Sequence, residues 1–259
     1  MARTMAIKKD LPEVIIKNFE AASREYNEHA SIQKLFASEL AKECAKISIP
    51  EGLWVDLGSG TGLLANALEE NNPGQKILRV DGSKGMLSQQ IDGSKSQLWN
   101  LNSGLPNWSE PPSLLASSFS LHWLASPTKR LEEWLKALKP SGWLALVVPI
   151  QESFPEWQLA CKKANVGFTA LPLPSRSLIL EPLNKVDLSF HKIHTVTQEA
   201  DSAVDLLKLI TKIGAQGTTK QQLKAGELRR LLNHWPINPN TKKAHLTWYV
   251  QMLLVQSLK

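Results

Sequence analysis

Between Gly52 and Val148 the chain alternates short apolar runs with stretches of helical periodicity. "LWVDL" and "KILRV" read as strands, and "LLANALEE" and "KGMLSQQI" as the helices that follow them. "SQLWNL" and "SLLASSF" are two further short strands, the second rich in small residues. Leu131, Trp134, Leu135 and Leu138 recur at i, i+3, i+4 and i+7 and mark one face of a helix. Pro140-Ser141-Gly142 then turns the chain into "WLALVV", an apolar run suited to a strand buried on both faces. Strands and helices alternating at this spacing imply βαβ units, hence an α/β fold with a mostly parallel sheet and helices on both faces.

After Pro149 the rhythm changes. "SFPEWQLACKKA" reads as the helix after the fifth strand, whereas "LPLPSRSLILEP", with Pro172, Pro174 and Pro182, reads as a crossing loop with short ordered pieces. "VDLSFHKIHTV" alternates like a strand. Helical stretches follow around residues 200–213 and 220–232, and "HLTWYVQMLLV" closes the chain as a last strand, expected to be antiparallel. Ahead of the first strand, "VIIKNFEAASREYNEHASIQKLFASELAKECA" is predominantly helical. With no internal repeat and no linker, residues 1–259 are expected to form one domain. Residues 1–48 would be an N-terminal helical cap, 49–150 the core, and 151–259 the late helices and last strands.

Composition narrows this little. At 42% hydrophobic and 21% charged residues, wholesale disorder is excluded. No apolar run is long enough for a bilayer, and the first residues lack the apolar core of a signal peptide. Cys44 and Cys161 stand far apart outside any CxxC pattern, so neither a disulfide framework nor a cysteine metal site is expected, and the cytoplasm is the expected compartment. Thirty Lys and Arg against 24 Asp and Glu give a net charge of +6, but no basic run interleaved with aromatics points to nucleic acid. A basic rim suits an acidic protein partner instead.

The chemistry concentrates in "VDLGSGTGLLANAL", a strand, a tight turn and a helix start. Glycines there admit backbone shapes closed to other residues and let a ligand approach the helix N-terminus. Dinucleotide turns favour G-x-G-x-x-G, whereas these glycines fall at 58, 60 and 62, with Leu63 in the last slot. Asp56 stands two residues before the first glycine, where a carboxylate would repel a pyrophosphate but suits a ligand with a cationic end. This D-x-G-x-G-x-G motif resembles the first signature of the class I S-adenosylmethionine-dependent methyltransferases, whose Rossmann-like sheet the element order would match.

That resemblance implies a set of cofactor residues. Asp56, Gly58, Ser59 and Gly60 would hold the amino-acid end, and Asp81, closing "KILRVD", both ribose hydroxyls. Met86 would cover the adenine. The family commonly has Asp at the end of the third strand for the adenine amino group; here "LWNLNSGLP" offers Asn100, beside Leu101, with Asn102 as competitor. Ser117 and Phe119 would shape the pocket.

A narrower resemblance runs through the flanks. "SREYNEHASIQKLFASEL", "SSFSLHWLASPTKRLEEWLKALKPSGWLAL", "SFPEWQLA" and "LLKLITKIGAQGTT" with the later "LRRLLNHW" and "LTWYVQMLLV" look like the malonyl-acyl-carrier-protein O-methyltransferases of early biotin synthesis. That resemblance implies methylation of the free carboxylate of a malonyl thioester on acyl carrier protein; a monomer is the expected state. It also implies that Tyr26 caps the cofactor. His29, His122, Arg176 and Lys212 are candidate substrate ligands. The acceptor carboxylate is ionised at neutral pH, so no catalytic base and no metal are expected. Lys220, Lys224, Arg229 and Arg230 form a basic cluster for the acidic carrier. A small acid such as aconitate is the alternative acceptor, and a non-catalytic binding module the alternative role.

Overall fold

The structure is a computed structural model that describes residues 11–184, 186–215 and 223–257. The N-terminal segment folds as three helices, α1 (Leu11–Ala22), the single turn α2 (Tyr26–His29) and α3 (Ser31–Cys44). The core follows as β1 (Trp54–Leu57), α4 (Leu63–Asn71), β2 (Ile77–Asp81), α5 (Lys84–Leu87), β3 (Ser96–Leu98), β4 (Leu114–Ser118), α6 (Pro127–Ala137) and β5 (Trp143–Pro149). Beyond it lie α7 (Pro155–Ala164), α8 (Arg176–Leu180), β6 (Asp187–Ala200), α9 (Ala203–Lys212), α10 (Ala225–Asn233) and β7 (Ala244–Gln256).

One seven-stranded sheet runs in the order β3-β2-β1-β4-β5-β7-β6. The first five strands are parallel, and β7 inserts antiparallel between β5 and the edge strand β6. The strand order reverses between β1 and β4, which opens a crevice at their carboxyl ends. The alternation of β5 explains its continuous apolar run. Trp143, Ala145 and Val147 join the core on the α3, α4 and α7 side, and Leu144, Leu146 and Val148 the core on the α6 side. The helical face read from Leu131, Trp134, Leu135 and Leu138 is buried in the second of these cores.

Several boundaries move. The third strand is three residues long, and the helix expected over "KGMLSQQI" is one turn, α5, capped by the Ser83 hydroxyl. Strand β6 runs on to Ala200, so the next helix starts only at Ala203, where Ser202 accepts a hydrogen bond from the Asp205 N–H. The helix expected from residue 220 begins at Ala225, and Lys220 lies outside the described residues. Among the described residues no helix is long and apolar enough to cross a membrane.

Candidate active site

The turn after β1 is shaped by backbone geometry. Gly58, Gly60 and Gly62 all have positive φ, at 72°, 53° and 87°. A Cβ on Gly58 would stand 1.9 Å from the Ser120 hydroxyl, so that glycine is required by packing. A Cβ on Gly60 would meet nothing within 4 Å, because it faces the open cavity. Gly58 and Ser59 both donate backbone N–H groups to the Val80 carbonyl, locking the turn to β2.

Two acids border this turn. Asp56 is 1% exposed; its Oδ2 accepts the Ala65 N–H of α4 at 3.1 Å, and its Oδ1 is buried without a partner. Burial pushes its carboxyl up to about 7, although the Arg79 guanidinium and the Ala65 N–H pull it back. Asp81 accepts the Gly60 N–H through Oδ2 and the Ser83 N–H through Oδ1, both at 2.8 Å. Burial also raises Asp81, against these backbone hydrogen bonds. An unpaired buried carboxylate oxygen beside an open glycine cradle fits a ligand that brings its own positive charge.

A first cavity extends from this turn, walled by Asp56, Gly58, Ser59, Gly60, Asp81, Met86, Asn100 and Leu101. Helix α1 closes it from above with Pro12, Ile15, Ile16 and Phe19. Glu20 ties that helix down, accepting the Ser83 hydroxyl at 2.6 Å and the Gly85 N–H at 2.7 Å, which holds its carboxyl below the usual range. Asn27 accepts the Thr61 hydroxyl at 2.6 Å and fastens α2 to the glycine turn. From the far side, Gln90 donates to the Gly60 carbonyl at 2.8 Å and the Ser59 hydroxyl at 3.1 Å. Beneath the turn Arg79, 1% exposed, is paired with Glu69 at 3.0 Å and donates to Ser94. Glu20, Asn27, Gln90 and Arg79 all escaped the sequence reading, since each acts on a partner distant along the chain.

A second cavity of about 460 Å³ adjoins the first. Phe19, Tyr26, Gln33, Phe119 and Trp123 line both. Phe119 has φ 54°, a left-handed conformation that costs a bulky residue on the order of 1 kcal/mol. Its ring sits between Phe36 at 5.8 Å and Trp248 at 6.0 Å, and its N–H donates to the Val147 carbonyl. The rest of the chamber is mainly apolar, with Phe154, Trp157, Leu171, Leu207 and Ile210 among its walls. Burial raises the Tyr26 phenol further above its usual range, so it stays protonated at neutral pH.

Not every expected residue takes part. The Ser117 hydroxyl is fully buried and donates to the Leu57 carbonyl at 2.8 Å, pinning β4 to β1; its neighbour Ser118 faces the first cavity instead. Arg176 is exposed at the start of α8 and lines neither cavity. His29 and Lys212 also lie outside both and meet each other, with Nε2 and Nζ 3.2 Å apart. His122 does line the second cavity. Asn100 is in the first cavity wall, but its amide oxygen already accepts two N–H groups of Asn102, capping the short 3-10 turn there. Asn102 in turn accepts the Ala125 N–H. Of the basic cluster, Lys224, Arg229 and Arg230 are exposed on or next to α10.

The crevice at the carboxyl ends of β1 and β4, with its glycine turn and two acids, is similar to the cofactor crevice of class I S-adenosylmethionine-dependent methyltransferases. A methyltransferase-domain profile matches residues 55–144. The solved structure of an S-adenosylmethionine-dependent methyltransferase from Thermotoga maritima has the same fold, with a TM-score of 0.52 at 18% identity over 95% of this chain and all of its own. By sequence, the relatives include malonyl-[acyl-carrier protein] O-methyltransferases and a trans-aconitate 2-methyltransferase of Mycobacterium tuberculosis, the latter 30% identical over 37% of this chain and 36% of its own length. The Alcanivorax borkumensis protein is 29% identical over 62% of this chain and 56% of its own length. The second such protein of Coxiella burnetii is 23% identical over 94% of this chain and 96% of its own. The chain spans about half the length or less of several curated relatives it matches, and nearly all of the Coxiella protein.

Proposed function

We propose that this protein transfers a methyl group from S-adenosylmethionine to the free carboxylate of a malonyl thioester carried on acyl carrier protein. The observation that supports it best is the pairing of a cofactor cavity with an adjoining apolar chamber across one shared wall, in a chain related along its length to proteins named for that reaction. When bound, the cofactor supplies a methyl activated on a sulfonium.

In this reading Asp56 faces the ammonium end of the cofactor and Asp81 its ribose, while Met86 and Leu101 cover the adenine. Asn100 would meet the adenine edge only by sharing its amide oxygen with Asn102 or through its remaining amide N–H groups. Tyr26, Phe119 and Trp123, common to both cavities, set the distance between the acceptor oxygen and the methyl. Orientation of this kind supplies several kcal/mol. The chain has no proton to remove, because the acceptor is ionised at neutral pH. What its apolar walls do is strip water from that carboxylate. Transfer from a sulfonium to a carboxylate neutralises two charges, so a chamber that solvates charge poorly favours the transition state over the separated ions.

The test is incubation with S-adenosylmethionine and malonyl-acyl carrier protein, followed by intact mass of the carrier. A gain of one methyl, dependent on the cofactor, is the expected result. An unmodified carrier, with free small acids methylated instead, would replace this acceptor by the aconitate-like alternative.

A further inference from the structure

Two side chains that line the second cavity each hold a buried ring nitrogen without a partner. His122 is 7% exposed and Trp157 8% exposed; both line the chamber, and both the His122 Nδ1 and the Trp157 Nε1 are buried without a hydrogen bond. A buried polar nitrogen left unsatisfied costs about 1–3 kcal/mol, so two on the walls of one chamber favour a ligand that pairs with them, the Trp157 indole as donor and His122 as donor in the tautomer with its hydrogen on Nδ1. A second feature is the absence of cations. No lysine or arginine is among the described residues lining either cavity, and the cations expected there, Arg176 and Lys212, lie outside. Among the described residues, the donors that an acid entering the chamber meets are neutral ones.

We propose that the chamber is the acceptor subsite and receives an acidic acyl-pantetheine thioester through neutral donors, His122 at the carboxylate end and Trp157 along the arm. This rests on the methyltransferase reading above and names the groups that recognise its acceptor. His122 belongs at the carboxylate end because its neighbour Trp123 lines both cavities and Ser120, two residues earlier, lines the first. Its ring packs on Trp123 at 4.8 Å, which fixes its plane. Burial pushes the imidazole down to about 3, so it is neutral and carries one N–H. Trp157 is absent from the shared wall. Its ring is held by Phe168 at 5.2 Å and Trp235 at 6.2 Å, neither of which lines a cavity, so its indole N–H serves a part of the ligand away from the methyl. A pantetheine arm carries amide and thioester carbonyls that accept such a bond, and its methylene and dimethyl segments suit the aromatic and leucine walls.

Neutral recognition has a chemical use. A lysine or arginine on the acceptor carboxylate would hold its electron density, whereas a neutral donor such as His122 orients it and leaves it nucleophilic.

The experiment titrates malonyl-pantetheine into the protein with S-adenosylhomocysteine present, following the tryptophan indole ¹H–¹⁵N resonances, with that of Trp157 assigned by W157F. In parallel, kcat and KM for malonyl-carrier are measured for wild type, H122F and H122Q. We expect a saturable shift of the Trp157 resonance. H122F should raise KM roughly tenfold or more, with S-adenosylhomocysteine affinity unchanged, and the amide of H122Q should recover part of it. A Trp157 resonance unmoved at saturating probe, or an H122F KM within twofold of wild type, overturns the subsite while wild type still methylates the carrier. A wild type that leaves malonyl-carrier unmodified overturns the underlying reading and the subsite with it.

Discussion

The carboxylate of Asp81 accepts the backbone N–H of Gly60 at 2.8 Å, so the acid that ends β2 also sets the shape of the turn that ends β1. The Gly58 and Ser59 N–H groups, both bound to the Val80 carbonyl, make the same link from backbone alone. Cofactor pocket and sheet edge are thus one object, and changes at the turn should separate into effects on folding and effects on binding.

Gly58 and Gly60 provide that separation. At Gly58 an added methyl collides with Ser120 at 1.9 Å, so G58A should lower the melting temperature of the ligand-free protein markedly. At Gly60 an added methyl meets no protein atom, and its cost is the positive φ, about 1 kcal/mol. G60A should therefore melt near wild type yet bind S-adenosylhomocysteine at least tenfold more weakly. Thermal unfolding and calorimetry of the two variants check this; equal losses of stability would contradict it.

Asp56 should make cofactor affinity depend on pH. In the free protein its carboxyl is pushed up to about 7, and a bound ammonium would hold it ionised. Binding must then release a proton below about pH 7, and affinity should fall by up to about tenfold per unit between pH 7 and 5. Calorimetry in buffers of different ionisation heat would detect that proton. An affinity flat across this range would remove Asp56 from the role.

The same carboxyl bears on stability, with a definite sign. A carboxyl raised in the folded state contributes stability that is full below its unfolded value of 3.8 and is lost as pH rises through about 7. D56N should accordingly raise the stability of the ligand-free protein at pH 8, by up to about 4 kcal/mol, and lose more than half of that advantage by pH 5. His122, His191 and His194, all lowered mainly by burial, act oppositely as pH falls through 6.5, so the comparison is between variant and wild type at each pH. Denaturant unfolding at pH 5 and 8 measures it.

Glu20 is expected to matter for binding more than for the fold. It joins α1 to the start of α5, and α1 forms the upper wall of the first cavity. E20A should weaken S-adenosylhomocysteine binding several-fold and speed proteolysis within residues 11–22, while the melting temperature moves little. Its carboxyl is lowered, so its contribution is present above the unfolded value of 4.5 and lost as pH falls through the folded one.

The parts of this site legible in the sequence were local ones. The turn from Asp56 to Gly62 is one contiguous motif, and the strands around it announce themselves because burial on two faces demands apolar runs. Asp81 followed from its place at a strand end. Ser117 failed by strand parity: one residue along a strand changes the face, so Ser118 borders the cavity while Ser117 bonds the Leu57 carbonyl. Arg176 and Lys212 have the charge a carboxylate needs, but charge alone says nothing of which way α8 and α9 carry it. Glu20, 63 residues before Ser83, and Arg79 beneath the turn act through tertiary contacts that leave no local pattern. In the sequence Trp157 is only one residue of a helix, since an unpartnered indole N–H is visible only in three dimensions.

The central claim is the choice of acceptor, and a competition measures it most directly. Malonyl-acyl carrier protein and free trans-aconitate are offered together at equal concentration with methyl-labelled S-adenosylmethionine, and the label is followed into each. Label is expected on the carrier as a base-labile methyl ester, with the free acid unlabelled. Label confined to the free acid, or absent from both while the cofactor binds, would contradict it.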